Sequence, residues 1–177
     1  MLVIYGSSRP NGNTEQLAKI ALEGIKTEDV YLRDKNITPI TDLRHAENGF
    51  SKINDDYYKI AEAMLSHDRI LFVNPVYWYG MSGRMKLFID RWSESLADPV
   101  LAFKNKMNGK KMYVLAVGGD NPKIKALPLV MQFQHTFEFV GASFEGYVIG
   151  EANRPGDILS DEDGVEKAQT LNRLLQK

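Results

Sequence analysis

The sequence predicts an α/β protein built on an open parallel sheet of five strands, in the order 2-1-3-4-5, with helices on both faces. Three observations predict this class. Continuous apolar runs such as Ile70–Val73 are typical of strands buried on both faces. Amphipathic helical repeats stand between these runs. Glycine-rich or polar stretches follow the first, third and fourth runs, as ligand-binding loops do at the carboxyl edge of such a sheet.

The first half of the chain supplies the first two strands and two helices. Met1–Tyr5 is an apolar strand, and Asn13 with Gln16 forms a capping-box pattern at a helix start. Val30–Leu32 predicts a short second strand, and a polar stretch from residue 33 to about 54 follows it. The apolar residues of the second helix recur at helical spacing: Tyr57, Ile60, Ala61, Met64 and Leu65.

The second half supplies the other three strands, beginning with Ile70–Val73. Met112–Val117 and Ser143–Ile149 predict strands four and five, and a helix from about Ala126 to Val140 ends at Gly141 as a left-handed cap. Two further helices show one apolar face each: Met85, Phe88, Ile89, Trp92 and Leu96 in one, and Val165, Ala168, Leu171 and Leu175 in the other. Because the sequence shows no repeat or linker, we predict one domain over residues 1–177.

Composition narrows the possible functions. The 177 residues are 44% hydrophobic and 25% charged, which is typical of a globular domain with its own core. The net charge of −1 shows no excess of positive charge of the kind that attracts nucleic acid or an anionic membrane surface. No cysteine is present, which excludes disulfides, thiolate catalysis and cysteine-ligated clusters. We predict no metal site and, since no targeting segment is evident, a cytoplasmic location.

The first polar stretch, GSSRPNGNT at residues 6–14, predicts a phosphate site. It leads from a strand into a helix, where free N–H groups and the helix dipole favour an anion. Its spacing fits neither a Walker A motif nor GxGxxG. The alternative is a polar turn with a capped helix. Side chains that add hydrogen bonds to an anion are Ser7, Ser8, Arg9, Asn13 and Thr14.

The second stretch, NPVYWYGMSGRMK from Asn74, predicts a surface for a flat ligand. Three consecutive aromatic residues, Tyr77–Tyr79, cannot all face one core, and Gly80 and Gly83 allow close approach of the backbone. The alternative is that the rings pack beneath the loop or at a subunit interface. The segment around Ser82 resembles a nucleophile elbow but fails its last glycine, which disfavours a hydrolase.

Two further loops lie at the same predicted edge. Gly118-Gly119-Asp120 follows the fourth strand and is either a plain turn or the border of a planar ring. Arg154-Pro155-Gly156 predicts a turn, with the alternative that this loop covers the site or meets the extra phosphate of NADPH.

Together, GSSRPNGNT and NPVYWYGMSGRMKLFIDRW resemble the NAD(P)H-dependent FMN reductases of the flavodoxin-like fold, a three-layer sandwich, and in particular small bacterial FMN-containing oxidoreductases akin to iron–sulfur flavoproteins. The resemblance follows the element order along the whole chain. It implies FMN as cofactor and NAD(P)H as co-substrate. For the phosphate it implies Ser7, Arg9, Asn11, Asn13 and Thr14. For the ring and ribityl chain it implies Pro75, Val76, Tyr77, Trp78, Gly80, Ser82, Gly118 and Gly119.

The resemblance also implies a reaction and sets a limit on it. Hydride passes from NAD(P)H to the flavin and electrons then pass to a small acceptor such as a quinone, a nitro or azo compound or free flavin. Backbone N–H groups of residues 76–80 and 118–119 are expected at the ring's heteroatoms, with Tyr77 and Trp78 beside the ring; no catalytic side chain is assigned. The iron–sulfur members carry cluster cysteines in the region that reads Thr41–Asp56 here, so this chain holds no cluster.

Two rival functions remain open. One is an electron carrier or flavin-binding regulator, although the near-neutral charge disfavours a carrier, since flavodoxins are usually strongly acidic. The other is a flavin-free nucleotide binder or phosphate-ester hydrolase, which leaves the aromatic loop unexplained. By resemblance we expect a homodimer or homotetramer. Phe133, Phe137 and Phe139 cannot all point inward from one helix, so one can face a partner.

Overall fold

The computed structural model describes residues 1–176 and confirms the predicted flavodoxin-like fold: a parallel five-stranded sheet in the order β2-β1-β3-β4-β5, flanked by helices. The strands are β1 (Leu2–Tyr5), β2 (Glu28–Tyr31), β3 (Arg69–Pro75), β4 (Lys111–Gly118) and β5 (Ser143–Glu151). Strand β5 runs two residues beyond the predicted Ile149, which moves the loop that follows it. Among residues 1–176 no helix is long and apolar enough to cross a bilayer.

The helices alternate with the strands. They are α1 (Asn13–Ala21), α2 (Tyr57–Leu65), α3 (Gly83–Asp90), α4 (Trp92–Ala97), α5 (Phe103–Met107), α6 (Pro122–Lys125), α7 (Leu127–Phe139) and α8 (Glu162–Leu175), with 3₁₀ turns at Leu32–Asp34 and Asp157–Ser160. Gly141, with φ of 80°, follows α7 in the left-handed conformation that was predicted for it. The short α5 and α6 lack a repeat long enough to be seen in the sequence.

The core has two halves, one on each face of the sheet. Because side chains alternate along a strand, Leu2 and Ile4 of β1 face α2, α3 and α7, whereas Val3 and Tyr5 face α1 and α8. On the first face, Phe72 packs against Phe133 and Phe137 with ring centroids 5.4 and 4.9 Å apart. Phe139, two residues further along α7 and so on another face of the helix, is 64% exposed, and only two of the three phenylalanines face the core.

One long helix was predicted from Met85 to Leu96, and this prediction is wrong. The chain forms α3 and α4 with a break at Arg91, whose ψ of −10° lies outside the helical range. The Arg91 guanidinium is fully buried, where it donates to Asp55 Oδ2 at 2.7 Å and to Thr38 O at 3.0 Å and pairs with Glu94. These contacts fasten the irregular segment of residues 35–56 to the helices, and Leu96 beyond the break is 39% exposed.

Candidate functional site

Four loops meet in a groove at the carboxyl edge of the sheet. Three of them follow β1, β3 and β4, and the fourth is the segment after β5, for which a position at the site was one of two alternatives. The parallel register places Tyr5 beside Val73 and Gly118 beside Glu151, so these loops leave the sheet at one level. The groove has a volume of ≈210 Å³. Its lining residues are Ser7, Arg9, Gly12, Asn13, Thr14, Pro75, Val76, Tyr77, Val117, Gly118, Gly119, Ala152 and Asn153.

The first loop presents an unpaired helix start to this groove. Within the described chain, the backbone N–H groups of Gly12, Asn13 and Thr14 have no protein acceptor, and the first helical bond runs from Gln16 N to Gly12 O at 3.0 Å. Thr14 is 3% exposed, and its hydroxyl has no hydrogen-bond partner among residues 1–176. Free N–H groups at a helix start, together with the helix dipole, favour an anion, so this end of the groove offers donors that suit one.

The loop itself is held by its own side chains. The Ser7 hydroxyl donates to Arg9 O at 3.2 Å and accepts from Arg9 N at 3.1 Å. The Asn11 N–H donates to the Glu15 carboxylate at 2.9 Å, and Glu15 pairs with Arg33. The Arg9 guanidinium is exposed and forms no ion pair with any described residue. It is therefore free to meet an anion in the groove.

The predicted capping box is wrong, and two asparagines have other contacts. Gly12 is the N-cap, and the Gln16 side chain donates to Asn11 O at 3.0 Å. The Asn13 amide donates to Arg154 O at 2.9 Å and accepts from Gly156 N at 2.9 Å. Both polar atoms of the Asn13 side chain thus hold the loop after β5, which leaves its backbone N–H as its free donor at the groove. Asn11 is exposed at the outer side of the loop, with φ of 52°, and does not line the groove.

Ser82 joins the first two loops from beneath. Its hydroxyl donates to Gly6 O at 2.7 Å and accepts from Met85 N at 3.2 Å as the N-cap of α3. A side chain at Gly6 has no room, since its Cβ would lie 2.7 Å from Asn74 Oδ1. Ser82 is buried and does not line the groove, so it supports the loops.

The second loop carries its aromatic residues on a tight turn. Tyr77 and Gly80 exchange backbone hydrogen bonds of 3.2 and 3.0 Å, and Trp78 and Tyr79 between them have φ of 48° and 62°. Val76 N donates to Val117 O at 2.9 Å. The N–H groups of Val76, Tyr77 and Gly80 are therefore already used, contrary to the expectation that this loop offers them to a ligand. Trp78 is 96% exposed.

The third loop packs closely against its neighbours. A Cβ on Gly118 would lie 3.0 Å from Val76 Cβ, and one on Gly119 would lie 3.2 Å from Asn153 Oδ1. Because neither glycine has a side chain, the backbone of the loop after β4 stays accessible at the groove, as expected for a backbone that approaches a flat ligand. Asn153 and Ala152 were missed as lining residues because the fifth strand was predicted two residues too short. The same loop was expected at the site only as one of two alternatives for Arg154–Gly156.

A second cavity of ≈150 Å³ adjoins the groove. It is lined by Val76, Trp78, Tyr79, Gly118, Gly119, Asp120, Pro122 and Lys125, three of which also line the groove. Hydrogen bonds from Lys125 and Tyr79 lower the pKa of the Asp120 carboxyl, and the bond to Asp120 raises the pKa of Lys125. Both groups are therefore charged at neutral pH.

Comparison with known proteins agrees with this geometry. A profile described as NADPH-dependent FMN reductase matches residues 1–146. The chain belongs to this family. The Bacillus subtilis (strain 168) protein YwqN, named as an NAD(P)H-dependent FMN-containing oxidoreductase, is 54% identical over 170 residues, which cover 96% of this chain and 94% of YwqN.

Two further relatives cover the chain almost completely. The iron–sulfur flavoprotein MJ1083 of Methanocaldococcus jannaschii is 34% identical over 96% of this chain and 92% of its own. The solved structure of the Trp repressor binding protein from Bacillus subtilis has a TM-score of 0.81 and 47% identity, and the match covers 96% of each chain. The predicted family, its enzyme class and its FMN cofactor with NAD(P)H are confirmed.

Proposed function

We propose that the groove binds FMN with its phosphate at the start of α1, and that the protein uses NAD(P)H to reduce a small organic acceptor at this site. The observation that carries the proposal is the set of N–H groups at residues 12–14 that find no acceptor among the described residues, beside the Thr14 hydroxyl, which finds no partner among them either. A phosphate supplies the acceptor oxygens that these donors lack.

The residues fit the phosphate by charge as well as by hydrogen bonding. Arg9 lines the groove, and its guanidinium has no carboxylate partner in the part of the chain that the structure describes. Ser7 fixes the loop through its two bonds to Arg9, and Asn13 contributes its backbone N–H. Asn11 and Ser82 of the predicted set do not line the groove. They hold the loops in place instead, through the Asn11 N–H bond to Glu15 and the Ser82 hydroxyl bond to Gly6 O.

The other end of the groove suits a flat ring and its ribityl chain. We assign this end to Pro75, Val76, Tyr77, Gly118 and Gly119, with Ala152 and Asn153 added from the structure. Gly80 closes the turn that presents Trp78. When bound, FMN supplies the chemistry that takes hydride from NAD(P)H and passes electrons onward. The chain's own part is to bind and orient, and we assign no proton-transfer residue.

The acceptor is proposed from relatives and from the aromatic loop. The name of YwqN, an NAD(P)H-dependent FMN-containing oxidoreductase, supports an enzyme over an electron carrier. A quinone, a nitro or azo compound, or free flavin fits a site with exposed aromatic side chains. The cytoplasmic location and the homodimeric or homotetrameric state remain predictions.

The test is an anaerobic absorption spectrum of the FMN-loaded protein before and after NADPH is added. We expect the visible flavin bands to bleach and to return when a quinone is added, with repeated turnover. A protein that binds FMN but is not bleached by NADPH or NADH would favour the carrier or regulator. A protein that binds no FMN would overturn the proposal.

A further inference from the structure

The turn at residues 77–80 has a conformation that its residues do not favour. Two-residue turns with positive φ at both central positions are usually formed by Asn and Gly, yet here Trp78 and Tyr79 occupy them. The indole of Trp78 is 96% exposed and so contributes nothing to the packing of this chain. Strain of this kind persists only where the surroundings impose it, and it is concentrated at functional sites.

The surroundings that hold this turn are polar. The Tyr79 hydroxyl donates to Asp120 Oδ2 at 2.7 Å, across from the loop after β3 to the loop after β4. Lys125 Nζ donates to both oxygens of Asp120, at 2.8 and 2.7 Å, and lies 5.8 Å from the centre of the Tyr79 ring. These hydrogen bonds connect the turn to the loop after β4 and thereby fix the position of the Tyr79 ring.

The network also forms one wall of the ≈150 Å³ cavity beside the groove. Since Val76, Gly118 and Gly119 line both spaces, a molecule in the cavity is next to whatever occupies the groove. The cavity offers aromatic side chains and an ion pair with no net charge. Lys125 has a third N–H, beyond the two directed at Asp120, which can donate to a carbonyl oxygen.

We propose that Asp120 is a positioning residue for the acceptor of the proposed function: through Tyr79 it holds the aromatic wall of this cavity, and Lys125 beside it presents an N–H to an oxygen of the acceptor. The proposal rests on the proposed function of the groove. It assigns Tyr79, Asp120 and Lys125 to acceptor recognition and leaves FMN binding to the other residues.

The test compares Tyr79→Phe and Asp120→Ala with wild type, and Lys167→Met serves as the control. Lys167 forms a similar exposed ion pair with Asp163 on α8, outside the cavity. With the FMN-loaded enzyme and menadione as probe, losing one hydrogen bond in the wall raises the KM for menadione about tenfold in both variants. The KM for NADPH and the affinity for FMN stay within about twofold of wild type. Lys167→Met leaves all three unchanged.

A second readout needs neither FMN nor turnover. The fluorescence anisotropy decay of Trp78, isolated by subtracting the signal of Trp78→Phe, reports the mobility of the turn in FMN-free protein. We expect a larger fast component in Tyr79→Phe and Asp120→Ala than in wild type. Unchanged mobility together with an unchanged KM for menadione would overturn the proposal, as would a loss of FMN affinity equal to the rise in KM. Failure of the wild-type protein to bind FMN would instead overturn the proposed function, which the anisotropy measurement does not test.

Discussion

Replacing Trp78 by Asn should stabilise the FMN-free protein. The side chain is 96% exposed, so its removal costs no packing, whereas φ of 48° is a conformation that asparagine tolerates far better. A left-handed backbone costs a non-glycine residue about 1–2 kcal/mol. If Asn recovers about 1 kcal/mol of this, the melting temperature of a chain of this size rises by about 2–4 °C.

The assay is thermal unfolding of FMN-free protein at two protein concentrations, with urea unfolding to obtain the free energy. Leu159→Asn is the matched control, because Leu159 is 61% exposed and lies in the 3₁₀ turn Asp157–Ser160, where φ is negative. We expect the control to change stability by less than about 0.5 kcal/mol. A lower melting temperature for Trp78→Asn would refute the strain argument. A decrease that grows with protein concentration would place the indole between two copies of the chain.

Three further predictions follow from the buried groups and the glycines. Gly118→Ala should weaken FMN binding at least tenfold in an equilibrium titration, because the new Cβ would lie 3.0 Å from Val76 Cβ and 3.1 Å from Pro122 Cβ. The control Gly83→Ala has no atom within 4 Å of its new Cβ and should leave FMN binding unchanged. Equal effects of the two variants would exclude close packing around Gly118 as the cause. Arg91→Met should lower the free energy of unfolding, measured in urea, by about 3–5 kcal/mol, because Asp55 and Glu94 are left buried without their cation. The control Arg44→Met breaks an exposed ion pair with Asp42 and should cost less than about 1 kcal/mol. A loss for Arg91→Met as small as that for Arg44→Met would contradict the buried-charge explanation. Burial acts to raise the pKa of Asp55, but hydrogen bonds from the Thr38 N–H, Arg91 and the Tyr57 N–H outweigh it and hold the pKa below its usual value. The contribution of Asp55 to stability is therefore complete above about pH 4 and is lost as the pH falls further. Asp55→Asn should be less stable than wild type at pH 7, and its free energy of unfolding should fall less steeply with decreasing pH. A fall as steep as in wild type would count against Asp55 as the source of the acid sensitivity.

The sheet order and the location of the site could be predicted because they depend on patterns that span many residues. Continuous apolar runs such as Ile70–Val73 identify buried parallel strands, and a parallel sheet brings the following loops to one edge. Ser7, Arg9 and Thr14 could be placed at the groove for the same reason, since they lie on the loop that leads from β1 to the start of α1.

Details that depend on single contacts between distant residues could not be predicted. Nothing near Arg91 in the sequence shows that Asp55, 36 residues earlier, will interrupt the helix there. Asn13 has the side chain of a helix cap, but it bonds to Arg154 and Gly156 across the site. The positive φ of Trp78 opposes the local preference of aromatic residues, so only the folded surroundings reveal it.

The most direct test of the phosphate assignment compares FMN with riboflavin, which has the same ring and ribityl chain but no phosphate. Both are titrated into flavin-free wild type and Thr14→Val, with flavin fluorescence as the readout. Because hydrogen bonds to a charged group contribute about 1.5–3 kcal/mol each, FMN should bind wild type at least about 100-fold more tightly than riboflavin. Thr14→Val should weaken FMN about tenfold and leave riboflavin unchanged. Equal affinities of wild type for the two flavins would contradict the assignment of the phosphate to the start of α1.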